Sequence, residues 1–302
     1  MQEFTCTPPI LSPSTMFMSA GRIVIYQEKA DSPLLVFPTP FSGTGYYEGT
    51  RGRGPGEFTF PDLNSFVVGP DGFSYFEQGG IEKRFAIDES GHFHCIDSKQ
   101  IMNDSDILNG VKRIYTGLLN VNLDMSSNYE FVLTRSDGTT NLLSEYPDIV
   151  IDDGEFKPFH FLKTLAIHPD KSRFAAFYAF EPLVRIISSE GAILKEIALP
   201  LEGAKKEPAP NPVCFSGGVC ADDNFILAKF ADTEFFLFDW EGRFLKRIHV
   251  DSPVSLFTYD FINDILYTVT SYAEDFGMMI CKDFFGGMPI YSQSPRSSRS
   301  TD

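Results

Sequence analysis

The sequence predicts an all-β protein: a six-bladed β-propeller of four-stranded antiparallel blades, its ring closed by the N-terminal strand. Three observations point there. Phe occurs 30 times against a single Trp, and 43% of the 302 residues are hydrophobic. A chain this rich in aromatic and β-branched residues, cut at short intervals by Gly and Pro, favours strands over helices. Apolar runs alternate along its whole length with turns built from Gly, Asp, Ser and Pro. The strand–turn–strand unit recurs six times, at roughly 40 to 50 residues, the length of one four-stranded blade. One blade alone exposes apolar faces and open edges, and stacking blades in a ring protects both.

The blades are expected at 15–41, 60–97, 111–146, 161–200, 213–250 and 254–285, within one domain spanning 1–291. The first turns at Ser19-Ala20-Gly21 into Arg22-Ile23-Val24-Ile25-Tyr26, followed by Leu34-Leu35-Val36-Phe37. The second is the most regular, with turns at Pro70-Asp71-Gly72 and Glu89-Ser90-Gly91 between its apolar runs. The third turns at Ser136-Asp137-Gly138 and the fourth at His168-Pro169-Asp170 and Ser189-Glu190-Gly191. The fifth turns at Ala221-Asp222-Asp223 and Trp240-Glu241-Gly242. The sixth offers apolar runs near 255–259, 264–269 and 278–281 but no strong fourth strand, so residues 4–10 are expected to supply it and close the ring. Residues 292–302 contain no apolar side chain and read as a disordered tail.

Arg51-Gly52-Arg53-Gly54-Pro55-Gly56-Glu57-Phe58 is the most distinctive segment. Glycine reaches positive φ cheaply and proline fixes its own φ, so this stretch forms a structured loop rather than a helix or a central strand. With Phe60-Pro61 and Pro70-Asp71-Gly72 downstream, it resembles the NHL-like and TolB-like six-bladed propellers of Bacteroides and related bacteria. The strong match covers roughly 50–97, and beyond it the strand–turn rhythm extends the likeness. The resemblance implies a six-bladed ring and, for many relatives, an exported or lipid-anchored envelope protein. Here Cys6 is not preceded by an apolar lipobox. The group is largely uncharacterised, so the resemblance carries a fold rather than a ligand.

Formal net charge is −16, from 41 acidic and 25 basic residues. Such a surface repels phosphate backbones, which argues against nucleic acid and anionic membrane as partners and favours solubility; a cation or cationic ligand at an acidic funnel is the sharper reading. No run approaches the ~20 apolar residues of a membrane helix, and a monomer is expected. Residues 1–6 carry no basic and apolar leader, so the chain as it stands reads as cytoplasmic, and as periplasmic or cell-envelope where a leader has been removed. Cys6, Cys95, Cys214, Cys220 and Cys281 have no zinc-type spacing. They read as free, mostly buried thiols, with a Cys214–Cys220 pair as the alternative in an oxidising compartment.

In a propeller, the connections from outer strand to next inner strand cross one face, and rigidly held loops are where ligands bind. Here those connections are 51–59, 98–110, 147–160, 201–212 and 250–253. On the first, Arg51 and Arg53 could clamp a carboxylate or sulfate, with Glu57 beside them; structurally, Glu57 would satisfy loop amides and the arginines would meet surplus carboxylates. His160, where the chain re-enters the ring, is a candidate for ligand contact or proton transfer, or a strand-end histidine with a satisfied hydrogen bond. Asp152, Asp153 and Glu155 offer oxygen ligands to a hard cation such as Ca²⁺, without the alternating spacing of a calcium loop. No catalytic residues and no cofactor are assigned. His92 and His94 share a strand face but lie on an outer strand with no third ligand near in sequence. No phosphate loop, dinucleotide fingerprint or nucleophile elbow is present. The functional expectation is a non-catalytic binding or interaction propeller, taking a small molecule, carbohydrate, peptide or protein at its central funnel or loop face. The alternative is a metal-dependent lactonase- or lyase-type enzyme, because fold alone does not choose between them.

Overall fold

The structure is a computed structural model that describes residues 1–101, 111–124, 126–151, 155–199, 214–215, 217–272 and 275–286. The expected tail at 292–302 lies outside these residues. Six four-stranded antiparallel sheets are present. The chain begins with β1 (Gln2–Phe4), which belongs to the last blade. Blade one holds β2 (Pro13–Ser19), β3 (Arg22–Gln27), β4 (Leu34–Pro38) and β5 (Tyr46–Glu48). A small parallel pair, β6 (Thr50–Arg51) and β7 (Glu57–Phe58), bridges to the next blade. Blade two holds β8 (Val67–Gly69), β9 (Gly72–Glu77), β10 (Ile81–Ile87) and β11 (Phe93–Gln100). Blade three holds β12 (Lys112–Ile114), β13 (Gly117–Val121), β14 (Tyr129–Thr134) and β15 (Thr140–Glu145). After the short helix α1 (Lys157–His160), blade four holds β16 (Lys163–Ile167), β17 (Arg173–Tyr178), β18 (Leu183–Ser188) and β19 (Ile193–Ala198). Blade five holds β20 (Val219–Ala221), β21 (Phe225–Phe230), β22 (Glu234–Asp239) and β23 (Phe244–His249). Blade six holds β24 (Leu256–Asp260), β25 (Ile265–Tyr272) and β26 (Asp275–Lys282), with β1 as its fourth strand.

Both faces of each blade are covered by neighbours, which explains why middle strands such as β3, β4 and β22 carry continuous apolar runs rather than alternating ones. In β3, Ile23, Val24 and Ile25 are all 0% exposed. Ile23 and Ile25 pack toward blade six with Tyr267 and Met278, whereas Val24 and Tyr26 pack toward blade two with Phe73 and Tyr75. The same division holds in β17, where Phe174, Ala176 and Tyr178 face blade three and Ala175 and Phe177 face blade five. Each such side chain contributes roughly 1.5–3 kcal/mol by leaving water, so the interblade seams hold the ring.

The turn from third to fourth strand repeats a single device. In blades two, four and five the third strand carries a register shift, between Arg84 and Phe85, Ile186 and Ile187, and Leu237 and Phe238. An Asp or Ser then caps the turn by accepting an amide four residues on: Asp88 from His92 (3.0 Å), Ser188 from Ala192 (3.0 Å) and Asp239 from Arg243 (2.8 Å). Bonds from Ser90 and His92 hold the exposed Asp88 carboxyl down at about 2. These turns seat against the outer strand of the preceding blade. Tyr46 Oη donates to Gly91 O and Ser144 Oγ to Gly191 O, each at 2.9 Å.

Two strand positions differ from the sequence reading. The expected closing strand at 4–10 is Gln2–Phe4, paired antiparallel with Met278–Ile280. Pro8 and Pro9 carry no amide hydrogen and cannot extend that ladder. From Thr7 the chain crosses to blade one instead, bonding Gly43 O and Gly45 N at 2.8 Å each. Blade one does not end at 41, because β5 forms its outer strand between Gly45 and Gly49. No disulfide joins any of the five cysteines among the described residues. Cys214 packs between blades four and five, and Cys220 between blades five and six, where burial pushes its thiol up to about 12.

Candidate ligand site in the central channel

The glycine segment is a latch between blades one and two. Glu57 folds its carboxylate back to accept the Gly54 amide at 2.7 Å. A Cβ on Gly52 would collide with Glu57 Oε2, so the carboxylate occupies space that only glycine leaves open. Phe58 is 0% exposed and stacks on Tyr75 and Phe85 at 5.3 and 5.1 Å. Lys83 Nζ donates to the carbonyls of Gly54 and Glu57 and reaches Glu77 Oε1 at 3.3 Å. Glu77 in turn accepts the amides of Thr59 and Phe60 at 3.0 and 2.7 Å.

Arg51 is fully engaged on the blade-one side. Its guanidinium donates to Tyr26 Oη (2.6 Å) and to the carbonyls of Ala30 (3.1 Å), Gln27 (2.5 Å) and Glu28 (2.7 Å). Arg53 is exposed and makes no ion pair among the described residues. Arg51, Arg53 and Glu57 are therefore not brought together with His160, which lies between blades three and four. The His160 ring sits between two carboxylates, with Nδ1 at 2.9 Å from Glu155 Oε1 and Nε2 at 2.9 Å from Glu181 Oε1, and its edge meets Phe161. Asp152 and Asp153 lie outside the described residues. Among the described residues, no three His, Cys, Asp or Glu side chains gather in metal-ligand geometry.

A cavity of 1340 Å³ occupies the central channel, walled by the six inner strands β2, β8, β12, β16, β20 and β24. Each of these strands is the edge of its sheet, so its unpaired peptide edge faces the ring axis. Every blade has four antiparallel strands, and the inner strands therefore all run in one direction. The channel thus has two unlike mouths. One is where inner strands begin, lined by Leu63, Asn64, Lys112, Phe159 and Leu162. The other is where they end, lined by Asp222, Asp223, Asp260, Phe261 and Ile262.

Large apolar side chains lie open to solvent in this wall: Phe159 is 67% exposed, Leu162 51% and Leu123 44%. Chain geometry puts the first two there. Pro158 sits in the first turn of α1, where its missing amide hydrogen costs nothing. The four-residue helix ends at Phe161, whose amide bonds Lys157 O at 2.9 Å and whose ring is buried between Tyr146 and Tyr178. Anchoring Phe161 inward leaves Phe159 and Leu162 on the channel side.

The wall behind them is stiffened by a buried charge cluster. Glu130 (side chain 0% exposed) holds Lys163 Nζ at 3.2 Å and Arg185 at 3.4 Å, and accepts Tyr178 Oη at 2.7 and 2.8 Å. The rings of Phe131, Tyr146 and Tyr178 surround Lys163 Nζ at 4.9–5.3 Å. Burial pushes the Lys163 ammonium down against the pull of Glu130, and pushes the Tyr178 phenol well up. At the other mouth the acids are tied into turns. Asp222 accepts the amides of Asn224 and Phe225 (2.8 and 2.7 Å), and Asp260 those of Ile262 and Asn263 (3.0 Å each).

Sequence reasoning pointed to the connection 147–160 but to His160 within it, whereas the channel side is presented by Phe159 and Leu162. The available signal was the pair of apolar residues flanking Phe161 after a helix-starting proline. Lys112, at the first position of β12, carried no signal beyond its place at the start of an inner strand.

No protein-family model matches the chain, and the search of curated proteins returns no match. Solved structures do match. A Bacteroides fragilis protein named as exported aligns over 93% of this chain and 94% of its own, at 12% identity and a TM-score of 0.55. The WD40 repeats of RRP9 align over 92% and 99%, at 8% identity and a TM-score of 0.53. Streptogramin B lyase aligns over 88% and 79%, at 13% identity and a TM-score of 0.47. The likeness is one of fold. Among the described residues no helix is long and apolar enough to cross a membrane.

Proposed function

We propose that this protein is a binding propeller whose central channel takes a ligand with a substantial apolar part. The observation that carries the reading is the exposure of Phe159, Leu162 and Leu123 in the wall of a 1340 Å³ channel. Contiguous exposed apolar side chains in a concave site mark binding surfaces. The likeness of the glycine segment to the NHL-like and TolB-like propellers supports a scaffold role for the ring and belongs to the same proposal.

The test is a fluorescence titration with the neutral apolar probe N-phenyl-1-naphthylamine. Wild-type protein is expected to bind it saturably. Phe159→Glu/Leu162→Glu is expected to weaken binding by about tenfold or more, because each side chain loses roughly 1 kcal/mol or more of apolar contact. Both positions are solvent-exposed, so the variant should melt close to wild type. Equal binding by the two proteins would move the site away from this wall.

A further inference from the structure

Lys112 is a cation in the channel wall that makes no ion pair among the described residues. The two lysines in that wall differ in this respect. Lys163 is held by Glu130, whereas Lys112 makes no ion pair within 4 Å among the described residues. Its ammonium has three N–H donors, and one of them goes to the carbonyl of Phe66 at 2.8 Å. Lys112 lines the same channel as Leu63, Asn64, Phe159 and Leu162. Burial pushes the ammonium down to about 8, and Asp62 is the charged group that acts in the opposite direction. A half-buried cation with a single donor bonded among the described residues, beside an apolar wall, is the arrangement that recognises an anion attached to an apolar body. The acidic residues Asp222, Asp223 and Asp260 line the far mouth, so the channel is polarised and an anionic group is favoured at the Lys112 end alone.

Resting on the channel reading above, we propose that the ligand is an amphipathic monocarboxylate. Its carboxylate bonds Lys112, and its apolar chain lies along Leu123, Phe159 and Leu162.

The proposal carries a pH signature with a definite sign. A carboxylate binds the charged ammonium, and binding raises the pKa of Lys112 above its free value of about 8. Affinity is therefore level below that value and falls as pH rises through it. Between pH 7 and pH 9 the charged fraction of the free protein drops about tenfold, and so does the affinity.

The experiment displaces N-phenyl-1-naphthylamine with dodecanoate, dodecanol and methyl dodecanoate, on wild type, Lys112→Met and Lys112→Arg. Wild type is expected to prefer dodecanoate over both neutral analogues by about tenfold or more at pH 7, and that preference is expected to shrink about tenfold by pH 9. Lys112→Met should bind all three alike, and Lys112→Arg should keep the preference at pH 9 because its guanidinium stays charged. A wild type that does not discriminate, or a preference that survives in Lys112→Met, overturns the proposal while saturable probe binding leaves the channel reading standing. Failure of both the probe and dodecanoate to bind overturns both.

Discussion

Replacing Glu130 by alanine is expected to destabilise the protein by about 3–5 kcal/mol, the cost of leaving buried partner charges uncompensated. For a chain of 302 residues that corresponds to a loss of roughly 5–8 °C in melting temperature. Lys163 and Arg185 have side chains only 1% and 4% exposed, so neither can turn to water when the carboxylate goes. Arg185 retains Glu196 at 2.5 Å and the carbonyl of Glu145 at 2.6 Å. Among the described residues Lys163 retains only the three surrounding rings, and most of the penalty falls on it. The double variant Glu130→Leu/Lys163→Met should therefore be more stable than Glu130→Ala, since it removes both charges and keeps apolar volume. Thermal and urea melts of the three proteins measure this directly. A Glu130→Ala protein within about 0.5 kcal/mol of wild type would show that the cluster is not held as described.

Replacing Glu77 by alanine is the second large effect, again about 3–5 kcal/mol, but with a local readout as well. Its carboxylate, 3% exposed, serves the amides of Thr59 and Phe60, Tyr75 Oη and the 3%-exposed Lys83. Without it the returning limb of the glycine latch loses its anchor. Trypsin cleavage at the exposed Arg53 should then rise steeply under native conditions, because cleavage follows the population of the opened loop. Glu57→Ala removes the acceptor of one amide, from Gly54, and is expected to cost only about 1 kcal/mol. Equal trypsin resistance in Glu77→Ala and wild type would separate the latch from that carboxylate.

The ring was legible in the sequence because its physics is repetitive. Middle strands covered on both faces are mostly apolar, so Leu34–Phe37 and Phe235–Phe238 announce themselves, as does Leu183–Ile187 around its one charged residue, Arg185. The capped turns at Asp88–His92, Ser188–Ala192 and Asp239–Arg243 recur at matching places for the same reason. Two outer strands are harder to read because only three residues pair in β1 and in β5, and glycines flank β5 on both sides. The site was less legible still. Arg51 shows its guanidinium in sequence but not the carbonyls of Gln27, Glu28 and Ala30 that take it. Those partners are 21 to 24 positions away, and only the folded hairpin brings them close. His160 likewise meets Glu181 across 21 positions. Phe159 and Leu162 look like core residues in sequence, and only the inward anchoring of Phe161 turns them to the channel.

Hydrogen–deuterium exchange with and without saturating dodecanoate tests the central claim, occupancy of the channel, most directly. The account predicts slower exchange at the start of β8, at Lys112 and across 157–167, with the outer strands β5, β11, β19 and β23 unchanged. Protection confined to the outer strands, with α1 and the inner strands unaffected, would contradict it.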